Sequence, residues 1–284
     1  MKIHRLLSDK SRSILVRVAS GDELFRAGKK EAIWLGMFDS WQSCADYSQH
    51  LTTATTEVSA FTTDRWVRRQ EAMYLSATKG DFPRATSLPP VVEMTGEHKI
   101  YDFGGGSGWG IELLSEVSLS NLSAYIVIEQ PKFVERLNIK TSRSKKLTFC
   151  SLSDVYESSN SSSGLLYANS ALQYLSSDEE IHSLIQKTRP NWILIDDLQV
   201  STGGEFFSLQ KYYGQFIPCR FYSPSKLCDF LKTLGYLQVF CFPYEKRYSE
   251  VTAPTIEGHV DSLPNIGAPL IVGFRLLRHR DMKS

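Results

Sequence analysis

The sequence predicts an α/β protein: a doubly wound sheet of seven strands with a helical N-terminal extension. From about residue 97 onward, short apolar runs alternate with amphipathic helical patterns, an order that builds parallel sheets. A glycine-dense turn directly follows the first of these runs. Over the preceding residues, aromatic side chains recur at helical spacing. We therefore expect a helical extension over residues 1–96 and a ligand-binding sheet domain over residues 97–284.

The extension contains one well-marked helix. Thr63 or Asp64 is placed to cap its start, and Lys79-Gly80 is placed to stop it. The three prolines of the segment Asp81–Pro90 predict a loop leading into the sheet domain. The residues near one face of the helix have the spacing of a surface packed against a core: Trp66, Val67, Gln70, Met73, Tyr74 and Ala77.

Seven apolar runs predict the strands of the sheet. They are Lys99–Phe103, Ala124–Ile128, Leu147–Cys150, Leu165–Asn169, Trp192–Asp196, Leu237–Phe242 and Leu270–Leu276. Between the fourth and the fifth run, Ser177 and Glu180 have the spacing of a capping box, and Arg189-Pro190 ends the helix. A later amphipathic helix ends at Gly235, directly before the sixth strand. Helices between successive strands predict parallel β-α-β units.

Composition narrows the class of protein. Of the 284 residues, 42% are apolar and 22% are charged, and the formal net charge is +1, so no strong field would attract nucleic acid or an anionic membrane. The five cysteines form no C-x-x-C pair, which favours free thiols in a reducing compartment, and no metal-ligand cluster is visible. Neither a signal peptide nor an apolar stretch of about 18 residues occurs, so we expect a cytoplasmic protein without a membrane span.

The glycine-dense turn lies between the first strand and a helix predicted over Trp109–Val117. Gly104, Gly106 and Gly108 permit positive φ angles and let a ligand lie against bare main chain. Amide groups at the helix start would point at the polar end of that ligand. The spacing is G-x-G-x-G, whereas dinucleotide-binding proteins use G-x-G-x-x-G to seat a pyrophosphate. The turn therefore favours a nucleoside ligand over a pyrophosphate.

Two acidic residues accompany this turn in register with the strands. Asp102, two residues before the first glycine, is placed to order the turn and to compensate a positive charge on the ligand. Glu129 directly follows the second strand, and an acid there can accept both hydroxyls of a ribose. An acid after a strand is often only a helix cap, and a glycine-rich turn is often only a turn. Their joint occurrence predicts a nucleoside-binding site.

Four segments resemble the successive motifs of class I S-adenosylmethionine-dependent methyltransferases: DFGGGSG, IVIEQP, LTFCSLSD and YANSALQYL. More narrowly, the chain resembles a methyltransferase family associated with bacterial surface-polysaccharide gene clusters. The N-terminal segment WLGMFDSWQSCADYS is also similar to the G-x-[YF]-x-S-W segment of that family. The resemblance implies a Rossmann-like sheet, S-adenosylmethionine as the cofactor, and methyl transfer to a small molecule or a glycan, such as a surface-polysaccharide sugar or its precursor.

The resemblance also implies a role for particular residues. The first strand and its turn would contact the methionine part through Asp102, Gly104, Gly105, Gly106 and Gly108. Glu129 would bind the ribose, with Gln130 beside it. Ser153 or Asp154 would hold the adenine, while Asn169 and Ser170 would lie beside the sulfonium and the departing methyl group. Many relatives have Leu-x-His after the fourth strand, where this chain has Leu172-Gln173-Tyr174, so a catalytic histidine is not expected at that point.

Candidate catalytic residues follow from the chemistry of methyl transfer. The reaction is an in-line displacement at an activated carbon, so alignment matters more than a strong base. A hydroxyl acceptor can still require a proton acceptor. Asp196 and Asp197 end the fifth strand, at the edge where ligands bind, and are candidates for that role. His259, between the last two strands, is an alternative.

The acceptor pocket and the class of ligand remain open at this point. Trp41, Gln210 and Tyr213 are candidates for acceptor contacts, since aromatic faces suit sugar rings, although they suit protein cores equally well. An NAD(P)-binding oxidoreductase is an alternative, because the same strand-turn-helix unit serves both ligands. A methyltransferase-like binding module without catalysis is another. The sequence does not define the oligomeric state.

Overall fold

A computed structural model describes residues 34–51, 60–80, 86–138, 145–155, 163–212, 215–243 and 270–276. Its main sheet has seven strands: β2 (Lys99–Phe103), β3 (Ala124–Ile128), β4 (Leu147–Cys150), β5 (Leu165–Asn169), β6 (Trp192–Leu198), β9 (Tyr236–Pro243) and β10 (Leu270–Leu276). They lie in the order β4-β3-β2-β5-β6-β10-β9. Strands β2 to β6 pair in parallel, whereas β10 runs antiparallel to both β6 and β9. This is a Rossmann-like, doubly wound sheet of seven strands, so the predicted sheet fold is confirmed.

The described residues contain seven α-helices. They are α1 (Trp41–Leu51), α2 (Asp64–Ala77), α3 (Leu88–Thr95), α4 (Glu116–Asn121), α5 (Pro131–Asn138), α6 (Asp178–Thr188) and α7 (Pro224–Thr233). Two apolar clusters flank the strands: one includes Ile181 and Leu184 of α6 and Leu227 of α7, and the other includes Met73 of α2 and Leu88 of α3. Helices of the N-terminal extension thus bury side chains in the same core as the sheet. None of the described helices has the length and apolar character to span a bilayer.

A second, three-stranded antiparallel sheet lies outside the predicted elements. It consists of β1 (Trp34–Phe38), β7 (Phe206–Tyr212) and β8 (Gln215–Phe221), in the order β1-β7-β8. The Trp34 ring packs edge-on against Phe221, with 4.9 Å between the ring centroids. The N-terminal extension therefore contributes a strand as well as helices, and that strand pairs with a segment about 170 residues further along the chain.

The structure corrects three local predictions. The helix predicted over Trp109–Val117 is instead a 3-10 helix over Trp109–Leu113, because Leu114 takes an extended conformation and α4 begins separately at Glu116. The loop predicted over Asp81–Pro90 ends early, since α3 begins at Leu88. Pro89 and Pro90 occupy the first turn of α3, where their missing N–H groups are not needed.

The third correction concerns the start of α6. The side chain of Ser177 makes no capping hydrogen bond, so the predicted capping box does not form. The carboxylate of Glu180 instead accepts a hydrogen bond from the Ser176 hydroxyl at 2.8 Å and another from the Ser176 amide. The end of α6 is as predicted, because Arg189 adopts the left-handed conformation that stops a helix.

Candidate functional site

The glycine turn lies at the carboxyl end of β2, in the middle of the parallel strands. Gly104, Gly106 and Gly108 have φ angles of 68°, 59° and 73°, which side chains other than glycine rarely adopt. Crowding adds to this restriction. A Cβ on Gly104 would lie 2.5 Å from the Cβ of Ala171, and a Cβ on Gly106 would overlap the side-chain oxygen of Gln70. The turn therefore requires glycine for both its backbone angles and its neighbours.

Asp102 lies beneath this turn. Its side chain is buried, and a Cβ on Gly105 would overlap its carboxylate. The Tyr125 hydroxyl donates a hydrogen bond of 2.7 Å to the Asp102 Oδ2 atom. Burial raises the pKa of Asp102 to about 7, the Tyr125 hydrogen bond opposes that rise, and the nearby carboxylate of Glu129 adds to it. The Asp102 carboxylate therefore lies directly against the main chain at Gly105, and its role in ordering the turn stays a prediction.

Glu129 holds the other side of the turn. It follows β3, and its Oε1 atom accepts a hydrogen bond of 2.9 Å from the Gly106 amide. The Gln130 amide donates to the other carboxylate oxygen at 3.3 Å. Burial raises the pKa of Glu129 to about 7, and both amide hydrogen bonds limit that rise. Glu129 is partly exposed at the carboxyl edge of the sheet, the edge at which open α/β sheets bind ligands.

Helix α2 contributes a residue that sequence reasoning did not single out for the site. Gln70 is buried, and its Oε1 atom accepts a hydrogen bond of 3.3 Å from the Ser107 amide. The Tyr74 hydroxyl, one turn further along, donates to Glu112 at 2.5 Å. A usable signal was present in the sequence: a glutamine on the apolar face of a helix needs a polar partner when it is buried.

The loop after β4 carries the residues implied for adenine binding. Leu152–Asp154 forms a short 3-10 helix in which Ser151 and Asp154 cap one another. The Ser151 and Ser153 hydroxyls are 2.6 Å apart. The hydrogen bond from the Ser151 hydroxyl is the main cause that holds the pKa of Asp154 below its ordinary value. Both Ser153 and Asp154 are exposed at the same edge of the sheet as Glu129.

The ends of β5 and β6 form the other half of this edge. Ser170 and Asp197 both have positive φ angles, 53° and 56°, although neither is glycine. The Ser170 hydroxyl donates a hydrogen bond to the Asp197 carboxylate, whose other oxygen accepts from the side-chain Nε2 atom of Gln199 at 3.0 Å. Asn169 donates to the Tyr167 hydroxyl at 2.9 Å. Ser170 and Asp197 therefore form a hydrogen-bonded pair across the two strand ends.

Asp196 and Asp197 are adjacent but occupy different environments. Asp196 is fully buried, and its Oδ2 atom accepts hydrogen bonds from the Ser87 amide at 2.8 Å and the Thr86 hydroxyl at 3.0 Å. The Ser87 hydroxyl donates to its Oδ1 atom. Burial raises the pKa of Asp196 above its ordinary value, and the hydrogen bonds from Ser87 and Thr86 oppose that rise. These contacts assign Asp196 to anchoring the start of α3.

The acceptor candidates are dispersed. Trp41 packs edge-on against Phe207 of the three-stranded sheet, with 6.1 Å between the ring centroids. Gln210 accepts a hydrogen bond of 2.6 Å from the hydroxyl of Tyr174, which lies after β5. This contact connects the three-stranded sheet to the carboxyl edge of the main sheet. Tyr213 and His259 lie outside the described residues.

Known proteins resemble this chain in fold, at low sequence identity. No family model and no curated protein matches the sequence. The fold is similar to that of a Burkholderia thailandensis 1,6-didemethyltoxoflavin-N1-methyltransferase, solved with 1,6-didemethyltoxoflavin and S-adenosylhomocysteine, at 12% identity over 84% of this chain and 90% of that chain, with a TM-score of 0.43. It is also similar to an S-adenosylmethionine-dependent methyltransferase from Methanosarcina mazei, at 11% identity over 68% of this chain and 99% of that chain, with a TM-score of 0.46. A third similar fold is that of a Synechocystis magnesium protoporphyrin IX methyltransferase, at 10% identity over 84% of this chain and 96% of that chain, with a TM-score of 0.41.

Proposed function

We propose that this protein is an S-adenosylmethionine-dependent methyltransferase that acts on a small molecule. The observation that carries the proposal is the hydrogen bond between the Glu129 carboxylate and the Gly106 amide, which joins an acid at the end of β3 to a bare glycine turn at the end of β2. In open α/β sheets, ligands bind outside the carboxyl ends of the strands, where the strand order reverses. The turn lies at such a point, because β2 stands between β3 and β5.

The structure around the turn is unlike a pyrophosphate site. Dinucleotide-binding folds seat the pyrophosphate on the N-terminus of an α-helix that starts directly after the glycines. Here a five-residue 3-10 helix over Trp109–Leu113 follows Gly108, and the chain is extended again at Leu114. The helix dipole and aligned amide groups that a pyrophosphate requires are therefore absent from this stretch. A nucleoside bound through its sugar does not require them.

The residues around the turn fit an adenosyl cofactor. The carboxylate of Glu129 would accept hydrogen bonds from the ribose hydroxyls, and the edge formed by Ser153 and Asp154 would hold the adenine. Asp102, buried beneath Gly105, would offset the positive charge of the methionine part through the turn. The bound cofactor supplies a methyl group already activated by the sulfonium. The protein has to align the acceptor with that group and exclude water.

The pair of Ser170 and Asp197 supports a hydroxyl acceptor. In such a transfer, the acceptor oxygen forms its new bond to the methyl carbon as the methyl–sulfur bond breaks, and the hydroxyl proton leaves. Asp197 would take this proton, either directly or through the Ser170 hydroxyl that already donates to it. A sugar hydroxyl of a surface-polysaccharide precursor is the acceptor that the family resemblance suggests.

Calorimetry with S-adenosylhomocysteine tests the cofactor assignment. We expect the protein to bind this ligand and not to bind NAD or NADP. Glu129→Ala should weaken the binding about 10-fold to 100-fold, because hydrogen bonds to a charged group contribute about 1.5–3 kcal/mol. Glu135→Ala, at an exposed position on α5, is the matched control and should bind as tightly as the unsubstituted protein. Binding of NAD without S-adenosylhomocysteine would contradict the proposal.

Labelled S-adenosylmethionine tests the acceptor. Incubation with a panel of nucleotide sugars and cell-wall glycans should transfer the label to a hydroxyl of one of them. Asp197→Asn should abolish most of that transfer while S-adenosylhomocysteine still binds. Binding of the cofactor with transfer to none of these acceptors would exclude the proposed sugar substrates.

A further inference from the structure

Two neighbouring amides at the tip of the glycine turn are held by side chains from opposite sides. The Gly106 amide donates to Glu129 of the sheet edge, and the Ser107 amide donates to Gln70 of α2. Gln70 is only 3% exposed, so its carbonyl oxygen is not available to bulk water. The two contacts fix the orientation of consecutive peptide groups in the turn.

The contact with Gln70 is close. A Cβ on Gly106 would overlap the Gln70 side-chain oxygen, so the helix side chain lies directly against the main chain of the turn. Ser107 is fully buried, and its hydroxyl has no hydrogen-bond partner among the described residues. If Gln70 were removed, the Ser107 amide would be a second buried polar group without a partner, which costs free energy.

Helix α2 is itself anchored to the segment that follows the turn. The Tyr74 hydroxyl donates to Glu112, and Met73, Tyr74 and Ala77 pack in one apolar cluster with Trp109 and Ile111. At its start, the Thr63 hydroxyl accepts from the Trp66 amide and caps the helix. The backbone of Gln70 is therefore held in place by contacts near both ends of α2.

We propose that Gln70 is a positioning residue for the cofactor turn, so that the N-terminal extension forms part of the cofactor site. This inference rests on the proposed function. Gln70 acts by holding the Ser107 peptide group, and thereby the left-handed conformation of Gly106, in the arrangement that the ligand meets. Preorganisation of this kind lowers the cost of binding because the turn does not have to be ordered when the ligand arrives.

The test uses Gln70→Met in the whole chain, since methionine has a similar size and its sulfur is only a weak hydrogen-bond acceptor. Two quantities are measured: S-adenosylhomocysteine affinity by calorimetry, and hydrogen exchange of the Ser107 amide without ligand. We expect about 10-fold weaker binding and about 10-fold faster exchange. Arg68→Met, at an exposed position on the same helix, is the control and should change neither quantity.

Gln70→Glu separates positioning from general packing. Glutamate retains an oxygen that accepts the Ser107 hydrogen bond, so exchange of the Ser107 amide should remain slow. This variant also decides the matter if Gln70→Met does not fold. Unchanged affinity in folded Gln70→Met, or fast Ser107 exchange in folded Gln70→Glu, would overturn the role of Gln70 alone. Failure of the unsubstituted protein to bind S-adenosylhomocysteine would instead overturn the proposed function.

Discussion

Two places at the carboxyl edge of the sheet contain residues in the left-handed backbone conformation: the end of β2, and the paired ends of β5 and β6. We call them the first and the second strand end. After β2, the left-handed conformation is taken by glycines at positions 104, 106 and 108. Directly after β5 it is taken by Ser170, and near the end of β6 by Asp197, both of which carry side chains. A residue other than glycine pays about 1–2 kcal/mol for this conformation. The difference shows where the chain needs empty space and where it needs functional groups.

Crowding explains the choice at the first strand end. Side chains at Gly104 and Gly106 would collide with Ala171 and Gln70, so these positions admit no Cβ. At the second strand end, both residues keep side chains in this conformation, and the Ser170 hydroxyl donates a hydrogen bond to the Asp197 carboxylate. Backbone strain of this kind recurs at functional sites, which is consistent with the proposed role of Asp197.

The largest expected effect tests the crowding at the glycine turn. Gly106→Ala adds both backbone strain and an overlap with Gln70, so we expect a loss of about 3 kcal/mol in the free energy of unfolding. Binding of S-adenosylhomocysteine should weaken about 100-fold or more. Urea denaturation and calorimetry measure the two effects.

Gly80 provides a matched control. Its φ angle is 77°, yet a Cβ there would meet nothing within 4 Å. Gly80→Ala should therefore cost only the backbone strain, about 1 kcal/mol, with ligand binding unchanged. Equal losses of stability in the two alanine variants would show that crowding plays no part, and the comparison of the strand ends would fail.

A smaller effect concerns the charge beneath the turn. The pKa of Asp102 is about 7 in the folded chain and near 3.8 as its ordinary value. The folded chain therefore keeps a proton that the unfolded chain has lost, so the stability due to Asp102 is complete below about pH 4 and is lost as the pH rises to about 7. Glu129 acts in the same direction, because its pKa is also raised to about 7.

Asp102→Asn isolates this contribution. Asparagine is neutral throughout, so the free energy of unfolding of the variant should fall less between pH 5 and pH 7, by about 1 kcal/mol per pH unit. Denaturation series at several pH values provide the measurement, with Glu129→Gln as the companion variant. Parallel curves for Asp102→Asn and the unsubstituted protein would show that Asp102 is ionised throughout this range.

The sheet that carries the site could be predicted from sequence because its signals are local. The runs Lys99–Phe103, Ala124–Ile128, Leu147–Cys150 and Leu165–Asn169 coincide with observed strands, since buried parallel strands are short continuous apolar runs. The glycine turn was visible for the same reason. Its positive φ angles are a property of the residues themselves, and they occur at the three positions predicted.

The three-stranded sheet could not be predicted because its stability is not local. Strand β1 finds its partner in β7, where Trp34 stands opposite Gln210. Pro218 in β8 argues against a strand, but β8 is an edge strand, where a proline is tolerated. Gln70 was missed for a related reason: its periodicity reveals a buried face, and only the folded chain shows that the face covers the glycine turn.

The smallest expected effect tests the second strand end. Ser170→Ala removes the hydrogen bond to Asp197 but keeps a side chain at a φ angle of 53°, whereas Ser170→Gly removes the bond and relieves the strain. We expect the free energy of unfolding to be about 1 kcal/mol higher for the glycine variant than for the alanine variant. At positions with a negative φ angle, alanine is usually the more stabilising of the two. Urea denaturation of both variants measures the difference. If the alanine variant were as stable as the glycine variant, the backbone at Ser170 would not be strained, and the contrast between the two strand ends would fail.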